Sequence, residues 1–90
     1  MKKTHLFISG YVQGVGFRWY VQRLAQGMNL CGFVKNLRDG RVEVVAEGNE
    51  NSIKEFLKGL KEGSFEDGIE EIKKTEEKYA GEYSDFRIKF

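Results

Sequence analysis

Between residues 5 and 12 apolar and polar side chains alternate. Leu6, Ile8 and Val12 fall on one side and His5, Phe7, Ser9 and Tyr11 on the other, the two-residue period of a strand. From Phe17 the period lengthens: Phe17, Tyr20, Val21, Leu24, Ala25 and Met28 share one helical face, and Asn29 is its natural terminator. Two strand-like runs follow, CGFVKNL and RVEVVAE, and in the second Val42, Val44 and Ala46 alternate with Glu43, Val45 and Glu47. Asp39-Gly40 between them predicts a tight primed hairpin turn, because both residue types tolerate positive φ. A second helix is expected over about residues 52–62, with a Ser52/Glu55 capping box and Gly63 as its stop. Ile53, Phe56, Leu57 and Leu60 form its buried stripe.

The segment GIEEIKKTEEKYAG is ambiguous by local propensity. Its Glu and Lys content favours helix, while its flanking glycines and short length admit an exposed edge strand. The final YSDFRIKF alternates cleanly, with Phe86, Ile88 and Phe90 on one side. The order is therefore βαββα followed by one or two strands, with no repeat or linker. That order predicts an α+β, ferredoxin-like βαββαβ sandwich: an antiparallel sheet, two helices on one face and a short extra C-terminal strand. Residues 1–90 are expected to form one domain.

Composition narrows the function. Hydrophobic residues make up 40% and aromatics 13%, enough for one core. The 15 Lys and Arg against 14 Asp and Glu leave a net charge of +1, which gives no footprint for nucleic acid or for an anionic membrane surface. The lone cysteine, Cys31, has no intramolecular disulfide partner. The N-terminal apolar stretch is interrupted by Ser9 and Gly10, lacks a cleavage site, and is too short to span a bilayer. A cytoplasmic monomer with no nucleic-acid or membrane partner is expected.

One stretch breaks a local rule. In YVQGVGFRWY a strand gives way to a helix with no Ser, Thr, Asp or Asn at the cap, and a cation, Arg18, sits in the first turn. A cation there is unfavourable by roughly 0.3–1 kcal/mol, because unpaired N–H groups already make that end positive. An exogenous anion resolves the conflict. Gly14 and Gly16 let the backbone approach it, the free N–H groups hold it, and the forked Arg18 guanidinium neutralises it. The same residues also describe a plain glycine turn beside a solvated arginine, and pattern alone leaves both open. The stretch is neither a nucleotide P-loop, lacking its Lys-Ser/Thr pair, nor a dinucleotide fingerprint, lacking the third glycine.

Geometry adds a partner. A helix from Phe17 to Met28 carries the chain about 18 Å from the turn, and a strand from Cys31 to Asn36 returns it about 20 Å. Asn36 therefore comes back level with the helix start, either to hold a water beside the anion or simply to finish a strand. Elsewhere the chemistry is thin. His5 has no sequence partner, Cys31 no nearby base, Asp39 suits a turn, and no His/Cys/carboxylate spacing suggests a metal.

Together these features resemble the acylphosphatase family. The blocks GYVQGVGFRWYVQRLA and GFVKNLRDGRVEVVAEG carry the resemblance, supported by the amphipathic second helix and the FRIKF ending, over nearly the whole chain. The resemblance implies a ferredoxin-like sandwich that hydrolyses the carboxyl–phosphate bond of a small-molecule acyl phosphate, with no metal or cofactor. It further implies that Arg18 binds phosphate and Asn36 orients the nucleophilic water. The backbone cradle then comprises Gln13, Gly14, Val15, Gly16, Phe17 and Arg18. It also resolves residues 69–78 as a strand. Arg38 stands where the family often has Pro, Lys35 where it often has Arg, and residues 63–78 lack its Pro-Gly loop. Two other classes are open to the same residues: a phosphate-sensing module without turnover, and a ferredoxin-like RNA-binding domain, against which the near-neutral charge argues.

Overall fold

The alternation of residues 5–12 becomes strand β1 (Lys2–Gly10) in the computed structural model, which describes residues 1–90. Helix α1 (Phe17–Gly27), strands β2 (Cys31–Asn36) and β3 (Val42–Gly48), and helix α2 (Glu50–Glu62) follow. A single 3-10 turn at Glu66–Gly68 leads into β4 (Ile69–Glu77), and β5 (Phe86–Lys89) closes the chain. The sheet order is β4-β1-β3-β2-β5. The first four strands pair antiparallel, and β5 joins the outer edge of β2 in parallel, so the extra strand makes the sheet mixed.

Both helices cover one face. Phe17, Val21 and Ala25 of α1 and Ile53, Phe56 and Leu60 of α2 pack on Leu6, Ile8, Val34, Val42, Val44, Ala46 and Phe86 in one cluster. Burying each large side chain contributes roughly 1.5–3 kcal/mol, so this cluster is what holds the two halves of the chain together. No helix is long and apolar enough to cross a membrane.

Two local expectations are corrected. The N-cap of α2 is Asn49, whose side chain accepts the Asn51 N–H at 2.8 Å, so Ser52 lies inside the helix and forms no capping box. Asn is at least as good a cap as Ser, and it stands where β3 has just ended. The hairpin turn is not of the primed two-residue type: Gly40 alone has positive φ, at 97°. Leu37 N–H donates to Arg41 O at 2.8 Å and Gly40 N–H to Leu37 O at 3.2 Å, closing a three-residue loop with glycine in its left-handed position. Asp39 caps that loop by accepting the Arg41 N–H at 3.0 Å. Asn29, at φ 57°, ends α1 as its sequence position suggests.

Strands β4 and β5 lie on opposite edges, so the chain between them crosses the helix-free face. Lys3 Nζ reaches Glu82 at 2.9 Å, the Tyr83 ring packs 6.0 Å from that of Phe33, and Gly32 N–H donates to Asp85 O at 2.8 Å. On this face Val45 and Glu47 are buried, although alternation sets them opposite the core residues of β3. Neither oxygen of the Glu47 carboxylate has a protein partner.

Candidate active site

The turn from Tyr11 to Gly16 is held at both ends. Tyr11 N–H donates to Gly68 O at 2.7 Å, while Val12 and Phe17 are anchored in the core. Between these anchors Gly14 and Gly16 take left-handed φ values of 74° and 82°, conformations that L side chains adopt only with strain. Gly16 is the N-cap of α1, with no side-chain cap and no acidic residue in the first turn. From Gln13 to Trp19 no backbone N–H donates to another group in the protein, and the first to do so is Tyr20, to Gly16 O at 3.1 Å. A run of unpaired donors beside two left-handed glycines has the form of the backbone concavities in which anions are held.

A cavity of about 130 Å³ opens here, lined by Val12, Gly14, Gly16, Phe17, Arg18, Ile88 and Phe90. The Arg18 guanidinium lies 4.9 Å from the Phe90 ring centroid and donates a long bond of 3.4 Å to Lys89 O. No carboxylate neutralises it. Gly14, Gly16, Phe17 and Arg18 thus converge on one space. Val15 instead packs partly buried against the core, and Gln13 turns its side chain toward the β2–β3 hairpin.

Asn36 ends β2 opposite Val42 and does not line the cavity. Its Oδ1 is buried without a hydrogen-bond partner. The return of β2 toward the turn is nonetheless real, since Gln13 Nε2 lies 2.8 Å from the carbonyl of Leu37, the next residue. Ile88 and Phe90 were not foreseen as lining residues. The signal for Ile88 was the alternation of β5, which turns Phe86 and Ile88 toward the helices, whereas Phe90 follows the end of β5, is almost fully exposed and meets the cavity beside Arg18. The three remaining candidates sit elsewhere: His5 is bonded to Glu43 and Glu77, Asp39 to Arg41, and Cys31 is a half-buried free thiol. No three His, Cys, Asp or Glu side chains converge to hold a metal ion.

Comparison with known proteins meets this geometry. The acylphosphatase family profile matches residues 4–88. The chain is 47% identical over 89 residues to an acylphosphatase of Caldanaerobacter subterraneus subsp. tengcongensis, covering 98% of this chain and 99% of that one. It is 50% identical over 91 residues to an acylphosphatase of Borrelia garinii subsp. bavariensis, covering 98% of each. The crystal structure of acylphosphatase from Bacillus subtilis superposes with a TM-score of 0.93 at 40% identity, covering all of both chains. A shared fold, a profile that takes in both the uncapped turn and the β2–β3 hairpin, and near-complete coverage agree: the chain belongs to the acylphosphatase family.

Proposed function

We propose that the Gln13–Arg18 turn holds the phosphoryl group of an acyl phosphate, that Arg18 balances its charge, and that Asn36 orients the attacking water. The activity is that of the family: hydrolysis of an acyl phosphate to a carboxylate and inorganic phosphate. The observation that carries the assignment of roles is the run of N–H groups without acceptors at the start of α1, beside an arginine without a carboxylate.

Phosphoryl transfer asks the protein chiefly for positioning and charge stabilisation. The water oxygen attacks phosphorus in line, the bond from phosphorus to the acyl oxygen breaks, and that oxygen leaves with the electron pair as carboxylate. The proton lost by the water passes to a phosphate oxygen, so no side-chain base is needed. This suits the site, because His5 and Asp39 are committed to other partners and an asparagine cannot accept the proton. The backbone donors and the Arg18 fork gain most as charge spreads over the equatorial oxygens. The enzyme so proposed is a cytoplasmic monomer.

The test follows hydrolysis of an aryl acyl phosphate by the wild type and Arg18→Ala, with a metal chelator present. Turnover that persists with chelator and is lost in the variant supports the scheme. Equal turnover by Arg18→Ala overturns the role given to the arginine.

A further inference from the structure

The Gln13 amide makes the only hydrogen bonds that tie residues 13–15 to the rest of the protein. Its Nε2 donates to Leu37 O at 2.8 Å and to Arg41 O at 2.9 Å. We propose that Gln13 is a positioning residue, whose side chain clamps the phosphate-holding turn to the β2–β3 hairpin and so fixes Asn36 relative to Arg18. The proposal rests on the roles given above to Asn36 and the turn.

The place of the two acceptors carries the argument. Leu37 directly follows Asn36, and Arg41 directly precedes Val42, the residue paired with Asn36 across the hairpin. One amide therefore grips both strands next to the Asn36–Val42 pair. Both carbonyls already have other donors: Leu37 O receives Gly40 N–H at 3.2 Å, and Arg41 O receives Leu37 N–H at 2.8 Å. The hairpin closes without Gln13. What the extra bonds add is a fixed spacing between two loops that come from different parts of the chain. The two hydrogens of the Gln13 amide serve both acceptors at once, which an ionised Glu cannot do. Near-attack geometry is sensitive to displacement, with about 1 Å worth as much as 10²-fold in rate.

The experiment compares wild type, Gln13→Leu, Asn36→Ala and the double variant with an aryl acyl phosphate as substrate and inorganic phosphate as competing inhibitor. Because no carbonyl is orphaned, Gln13→Leu should fold, as circular dichroism and thermal melting will show; Gln13→Met is the second variant if it does not. The expected result is a fall in kcat of about tenfold or more in Gln13→Leu. Phosphate inhibition should stay within about threefold of wild type, and the double variant should be little worse than Asn36→Ala alone. Losses that multiply in the double variant overturn the proposal, since Gln13 would then act independently of Asn36. A fall in phosphate affinity matching the fall in kcat also overturns it, because the side chain would then shape only the phosphate site. Normal turnover by Asn36→Ala overturns the role of Asn36 itself, an outcome distinct from the other two.

Discussion

The imidazole Nε2 of His5 lies 2.7 Å from Oε2 of Glu43, on the face of the sheet that carries no helix. The other ring nitrogen, Nδ1, lies 2.8 Å from Glu77 Oε2. A neutral imidazole donates from one nitrogen only, so one carboxylate would face a lone pair, whereas the imidazolium satisfies both. Burial alone would lower the His5 pKa, but hydrogen bonds to Glu77 and Glu43 outweigh it and raise the value above the ordinary 6.5. The hydrogen bond from His5, with smaller help from Lys3, holds Glu77 below its ordinary 4.5.

Stability should therefore peak in mildly acidic solution. A raised histidine contributes fully below its unfolded value of 6.5, and the contribution disappears as pH rises through the higher folded value. The depressed Glu77 contributes above its unfolded value of 4.5 and loses that contribution as pH falls. Urea unfolding should show the midpoint falling between about pH 5.5 and about pH 8, with the slope largely absent in His5→Gln. Equal slopes in the two proteins would remove His5 from the explanation.

Gly63 ends α2 under the Tyr20 hydroxyl, which donates to Gly59 O at 2.9 Å. At φ −89° the backbone suits any residue, so the demand for glycine is steric: a Cβ would run into the Tyr20 hydroxyl and come within 2.5 Å of Gly59 O. Gly63→Ala should cost about 1–3 kcal/mol, the scale of overpacking. Combined with Tyr20→Phe, the loss should be less than the sum of the two single losses, as a double-mutant cycle in denaturant will read. Strict additivity would mean that the two side chains do not compete for this space.

Periodicity found the two helices, β1 to β3 and β5, because each buries one face against a single core. It could not decide residues 69–78: β4 is an edge strand in which Ile69 and Ile72 alone touch the core cluster, so it carries almost no hydrophobic period. Nor could it foresee that Glu47 is buried. Alternation sees one core, and the crossing of the opposite face depends on where β4 and β5 end up in the sheet. Local chemistry also misplaced the α2 cap, since Asn49 and Ser52 are both good caps and only the end of β3 chooses between them. The uncapped turn was legible because it violates a local rule at consecutive residues. The Gln13 clamp joins segments far apart in sequence, and no local rule marks it; the alternation of β5 turns Ile88 inward but does not say which part of the chain it meets.

Gly16 and Gly27 bracket α1 and should respond oppositely to alanine. Neither has an atom within 4 Å of an added Cβ, so space does not separate them. Gly16 stands at φ 82°, where an alanine is strained by roughly 1–2 kcal/mol. Gly27 is helical with no positive φ, and alanine there should stabilise by about 0.4–1 kcal/mol. Thermal melting should fall by several degrees in Gly16→Ala and rise in Gly27→Ala. Inorganic phosphate should inhibit Gly16→Ala more weakly, because relief of the strain would turn the Gly16 N–H groove away from the anion, and leave Gly27→Ala unchanged.

Asn36→Asp and Asn36→Ala should fail in different ways. Both remove the amide proposed to hold the attacking water, and kcat should fall by about 10²-fold or more in each, the scale of losing one preorganised group. The aspartate also brings a negative charge toward the proposed site of a phosphate anion, where it competes with that anion for Arg18. Like charges at about 4 Å repel by about 1 kcal/mol in water and more where solvent is partly excluded. Phosphate inhibition should therefore weaken by roughly fivefold or more in Asn36→Asp, yet remain near wild type in Asn36→Ala. That repulsion is screened by salt, so the difference between the two variants should narrow as ionic strength rises. Equal phosphate inhibition in both variants at low salt would place Asn36 too far from the anion to hold a water against it.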